Sequence, residues 1–161
     1  MPVIEEEFMP RSAGDVVREF TRAMRDGDLA HAFDDLATED IVFENVPMKP
    51  PAQIVTGREA VRSRLEALYA VGKAERFDIV NQLENDDVVM HERVDSYSFP
   101  PGLFPKGDVF LMRVASVFTV RDDRVAGWRD YYDLGVFEDE LGVDLAGFGA
   151  VIGHRYATRA S

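Results

Sequence analysis

The sequence contains no cysteine. Disulfides, thiol nucleophiles and cysteine-ligated metals are therefore excluded. Histidine is scarce too. His31, His91 and His154 are far apart and form neither an HxH nor an HExxH pattern, so no metal is expected. No apolar run approaches the ~18 residues that a membrane-spanning helix needs. The segment Met1 to Phe8 carries three consecutive glutamates and no cationic, apolar signal pattern. A cytoplasmic protein is expected. Positive charge is short as well: 18 Lys and Arg stand against 30 Asp and Glu, a net charge of −12. That balance argues against nucleic acid or an anionic membrane as partner. Gly57, Gly72 and Gly127 lie in no phosphate-binding pattern, so no nucleotide cofactor is expected.

What is present suits one globular domain. A chain of 161 residues, 46% hydrophobic and 11% aromatic, can bury a sizeable core and still line a pocket. Residues 1–11 read as a loose arm. A helix is predicted from Ser12 to Arg25, with Val16, Phe20, Ala23 and Met24 on one face. A short helix over Leu29–Leu36 and a strand over Ile41–Asn45 follow. The prolines of Val46–Pro51 make a rigid loop. A further helix spans Arg58–Val71. Four strands come next, over Glu75–Glu84, Val88–Ser98, Val109–Val120 and Val125–Tyr132, separated by turn chemistry at Asn85–Asp87 and Arg121–Arg124. Leu103–Asp108 reads as a rim loop and Leu134–Leu141 as a helix. Residues 143–161 read as a packed extension with a frayed end, or as a dimer contact. Helices followed by a run of antiparallel strands define an α+β fold. A strongly bent sheet around the helices would form a cone with an apolar interior.

Two stretches carry unusual polar residues. On the strand Val88–Ser98, His91, Arg93, Asp95 and Tyr97 alternate onto one face. At the end of the last strand, Gly127–Asp133 places Trp128 and Asp130 on one face. Arg93 between Asp95 and Asp130 would hold two carboxylates in position. Burial raises their pKa values and the arginine lowers them, so one proton can be shared near neutral pH. Such a pair supplies a general acid and a general base. An ordinary buried ion-pair network has the same sequence signature. Asn45, before the proline loop, either orients a water or caps the loop. Tyr97, Tyr131 and Tyr132 are core residues or hydrogen-bond donors, and His91 reads as structural.

Three segments together resemble the limonene-1,2-epoxide hydrolase family. They are Glu92-Arg93-Val94-Asp95, Val125 to Leu134 with its Trp128-Arg129-Asp130 run, and Asn45-Val46-Pro47-Met48 followed by Gly57-Arg58-Glu59-Ala60-Val61. The likeness covers roughly residues 12–142. It implies a curved mixed sheet with helices lining a deep pocket, a cone shared with scytalone dehydratase and ketosteroid isomerase. It also implies a homodimer that needs no metal or cofactor. By the same resemblance, Asp95 would protonate an epoxide oxygen and Asp130 would take a proton from water. Arg93 would bridge them and Asn45 would help hold the water. One concerted step would give a vicinal diol. The pocket walls would be Phe43, Leu68, Phe77, Tyr97, Met112, Val114, Trp128, Tyr132 and Phe137, fit for a small hydrophobic epoxide.

The chain departs from that family at Phe43, where a tyrosine would also hold the water. Losing such a hydrogen bond would cost about 1.5–3 kcal/mol. Tyr97 or Tyr132 could supply a substitute hydroxyl. The longer loop between Met48 and Gly57 and the tail beyond Gly142 are further departures. The rival readings are an isomerase or cyclase on the same cone, using Asp95 or Asp130 as a base on a carbon acid, and a non-catalytic small-molecule binding domain.

Overall fold

A computed structural model describes residues 10–159. The expected arm therefore lies almost wholly outside the described residues. Helix α1 spans Ala13–Arg25 and starts on a reciprocal cap between Ser12 and Asp15. Each side chain bonds the other's backbone N–H, satisfying two donors that the helix itself cannot. Val16, Val17, Phe20, Ala23 and Met24 of α1 are buried. The expected second helix is instead a wide π-helical turn, His31–Asp35, closed by Leu36 N–H donating to His31 O at 3.2 Å.

Six strands form one mixed sheet in the order β2-β1-β6-β5-β4-β3. They are β1 (Ala37–Asn45), β2 (Ile54–Thr56), β3 (Lys73–Asn85), β4 (Val88–Ser98), β5 (Val109–Arg121) and β6 (Arg124–Tyr131). Helix α2 (Arg58–Val71) connects β2 to β3. The β1–β6 pair is parallel and all the others are antiparallel. Asp122 and Asp123 take positive φ in the two-residue turn between β5 and β6, as a hairpin with right-handed twist requires. Register shifts interrupt β3–β4 twice and β5–β6 once. Each such irregularity bends its strand and sharpens the local twist. The sheet curls and α1 lies in its hollow, where Phe20 meets Phe33, Phe118 and Trp128 edge to face.

Two helices close the other end: α3 (Gly135–Leu141) and α4 (Leu145–Arg159). A continuous helix replaces the extension expected after Gly142. It packs on α2 and α3, so it is part of the body rather than a free tail. Its Phe148 is buried among Phe99, Phe104, Phe110 and Phe137. The expected rim loop contributes Phe104, which is stacked under α4 and is not a free rim residue. No described helix is long and apolar enough to cross a membrane.

Candidate functional site

The inner face of β4 carries Val89, His91, Arg93, Asp95 and Tyr97, all buried. Strand β5 continues that face with Phe110, Met112, Val114, Ser116 and Phe118. In register, Ser116 lies opposite both His91 on β4 and Asp130 on β6. On the other side of β6, Asp130 pairs with Asn45 of β1. Four adjacent strands thus deliver His91, Arg93, Asp95, Ser116, Asp130 and Asn45 to one region.

Arg93 is the hub. Its Nε donates to Asp95 Oδ1 at 2.5 Å and its Nη2 to Asp95 Oδ2 at 2.9 Å. Its Nη1 donates to Ser116 Oγ at 3.0 Å and faces His91 Nε2 at 3.0 Å. Nη2 also lies 3.7 Å from Asp130 Oδ2, an ion pair too long for a hydrogen bond. The guanidinium sits 5.2 Å from the Phe77 ring centroid. Asp130 is held from its other side. Ser116 Oγ and Trp128 Nε1 both donate to Oδ1, each at 2.6 Å.

The electrostatics follow from burial. Both carboxyls are pushed above the ordinary aspartate range, chiefly by desolvation, with Arg93 opposing. The Asp130 and Asp78 charges raise Asp95 further, whereas the Ser116 and Trp128 donors pull Asp130 down. His91 is depressed to about 3 by burial and by Arg93. It is neutral at pH 7, so Nε2 accepts from Arg93 and Nδ1–H donates to Gln82 Oε1 at 3.1 Å. The residue that sequence alone reads as structural therefore fixes the arginine.

Asn45 does fasten the loop, through its backbone, which accepts from Met48 N–H and donates to Gln53 O. Its side-chain Oδ1 accepts from Tyr132 Oη at 3.0 Å. Among the described residues neither Tyr132 nor Tyr97 bonds Asp130. The substitute hydroxyl expected for Phe43 therefore does not reach Asp130; Tyr132 reaches Asn45. Phe43 instead packs on Trp128 at a tilt of 32°, with ring centroids 4.0 Å apart. Burial pushes the Tyr132 phenol up to about 12, so it remains a donor at neutral pH.

These groups face a cavity of about 360 Å³. Phe43, Trp128 and Tyr132 form one wall, while Phe77, Tyr97 and Met112 form another. Leu68 of α2 and Phe137 of α3 complete the expected lining. Val114 is the exception. It shares the inner face but is only 2% exposed and does not line the cavity. Met24 of α1 reaches the cavity, and α4 adds Leu145, Phe148, Gly149, Ile152 and Gly153. Ser116 could have been found in the sequence, because it is the one polar residue in the alternation Phe110, Met112, Val114, Ser116, Phe118. Gln82 gives no such signal, since its strand carries several exposed polar residues.

A curled mixed sheet around a helix, with a polar cluster in an otherwise apolar hollow, defines the cone-shaped α+β class. Within that class the chain belongs to the SnoaL-like domain family, which it matches over residues 17–128. Among solved structures it is similar to an LEH-like epoxide hydrolase of M. tuberculosis, at 24% identity and TM-score 0.66, covering 89% of this chain and 92% of that one. A candidate polyketide cyclase of Pseudomonas putida is similar at 17% identity and TM-score 0.68, covering 82% and 99%. A candidate isomerase of Bacillus subtilis is similar at 22% identity and TM-score 0.68, covering 83% and 95%. These likenesses establish a shared fold. Members of such a fold carry out different chemistries, so function must be argued from the site.

Proposed function

We propose that this protein is an epoxide hydrolase that adds water to an epoxide in one acid/base step. The observation that carries this reading is the unequal surroundings of two carboxyls sharing one arginine. Asp130 Oδ1 is saturated by two neutral donors, Ser116 and Trp128, which favour its anion. Its Oδ2 keeps a lone pair for a water proton. Asp95 accepts only from Arg93, a pairing that by itself favours its anion, but burial and the Asp130 and Asp78 charges raise it, and on this reading it holds the shared proton. With Oδ1 taken by Tyr132, Asn45 has its Nδ2 free to donate to the water oxygen.

The step balances as follows. Asp95 gives its proton to the epoxide oxygen as that carbon–oxygen bond breaks. Water attacks the carbon and loses a proton to Asp130 Oδ2. The product is a vicinal diol, and one proton then returns from Asp130 to Asp95. The likeness to the M. tuberculosis LEH-like epoxide hydrolase supports this reading.

Turnover of cyclic and aromatic epoxides in oxygen-18 water tests it. Label from solvent should appear in the diol of the first turnover. Asp95→Asn and Asp130→Asn should each cost at least about 10²–10⁴-fold in rate, the usual worth of a general acid or base, while circular dichroism stays unchanged. Unlabelled diol in that turnover would mean a covalent ester and remove Asp130 as base. Solvent deuterium entering carbon, with no diol from any epoxide, would instead favour the isomerase or cyclase chemistry.

A further inference from the structure

We propose that the cavity selects a substrate carrying a carboxylate, held by Arg64 on the cavity wall and set apart from the reacting carbon. The placement of the reacting carbon rests on the hydrolase reading; the anion site has its own support. Arg64 of α2 lines the cavity and is half-buried. Its Nη1 donates to Ala52 O at 3.0 Å and its Nη2 to Met48 Sδ at 3.1 Å. Both acceptors are neutral. Each guanidinium nitrogen keeps an N–H without a partner among the described residues. Among the described residues no carboxylate pairs with Arg64, whereas Arg62 on the same helix pairs with Asp34 and Glu66. In a chain with net charge −12, an unpaired guanidinium at an apolar cavity is unexpected.

The charges on the cavity wall sharpen the point. They are Arg64, Arg93, Asp95 and Asp130. Arg93 is already engaged by both aspartates. On the hydrolase reading one proton is shared between those aspartates, and the wall then carries one positive charge in excess, on Arg64. Ala52 and Met48 hold the guanidinium plane before any ligand arrives, which lowers the ordering cost of a bidentate contact. Gly149 and Gly153 of α4 also line the cavity and bring no side chain into it. Arg64 comes from α2 and the two aspartates from β4 and β6, so the anion site is built on an element apart from the reacting groups.

Calorimetry with phenylbutanoate and its neutral isostere phenylbutanamide at neutral pH tests this without catalysis. The acid should bind about 10- to 100-fold tighter, the size of a charge-assisted hydrogen bond. Arg64→Gln should bring the acid-to-amide ratio near one, and Arg64→Lys should restore part of it. If Arg64 only fastens the proline loop, Arg64→Gln weakens both ligands equally, the ratio persists and the proposal fails. A ratio near one in the unaltered protein also overturns it. A matched epoxy acid and epoxy amide separate the two claims. Diol from both without acid preference removes the anion site and keeps the hydrolase. Acid-selective binding with no diol from either keeps the anion site and removes the hydrolase.

Discussion

At the scale of single residues, the site depends on which donor goes to which oxygen. Tyr132 donates to Asn45 Oδ1, so the amide presents Nδ2 to the cavity. Tyr132→Phe releases the amide and should lower kcat about 10-fold or more, the worth of one buried hydrogen bond. Phe43→Tyr alone should not raise turnover, because Tyr132 already fixes Asn45; a rise would show that the water lacks a donor. His91 makes a separate prediction. Its folded pKa of about 3 lies below the ordinary 6.5. Between these values the unfolded chain binds the proton and the folded one does not. Stability should therefore fall as pH drops through that window. His91→Gln keeps an acceptor for Arg93 without titrating, so its urea midpoint should fall less over the same range. Equal losses in both proteins would exclude His91 as the cause. The proposed step needs Asp95 protonated and Asp130 ionised, so the alkaline limb of activity should lie above the ordinary aspartate range.

At the scale of elements, legibility tracked periodicity. The strands β3 to β6 were readable because their alternation is long and their turns are rich in Asn and Asp. That alternation also put Arg93 with Asp95 and Trp128 with Asp130. Strand β2 was not readable, because three residues cannot show a period. Strand β1 starts at Ala37 rather than Ile41 because its polar beginning pairs irregularly with β6. Helix α4 was hidden by Gly147, Gly149 and Gly153, each of which costs about 1 kcal/mol relative to alanine in a helix interior. Packing overrides that penalty through Phe148. Phe148→Ala should destabilise by about 3–5 kcal/mol, as for other buried aromatics. A chemical-denaturation loss below 1 kcal/mol would mean that α4 contributes little to the body. Arg64 stayed anonymous because its significance lies in a missing partner, which a sequence cannot display.

At the scale of the whole molecule, the inner and outer faces of the sheet differ. The inner face is filled by α1 and the cavity. The outer face exposes Leu83, Met90 and Val88, with Leu83 opposite Met90 across β3 and β4. Exposed apolar side chains grouped on a sheet face mark an association surface. We expect a homodimer through that face, consistent with the resemblance drawn from the sequence. Light scattering at micromolar concentration should give twice the 18.1 kDa chain mass. Met90→Lys should shift the species to monomer; a monomer before substitution would dismiss the idea.

Trp128 is the only tryptophan in the chain, and its indole N–H is bonded to the proposed base. The protein thus carries its own optical probe. Emission is sensitive to the charge of a carboxylate on the indole nitrogen, and no second fluorophore of that kind dilutes the signal. A spectrofluorometric titration of the resting protein would follow Asp130 from charged to neutral, and stopped-flow emission would show when that proton arrives within a turnover.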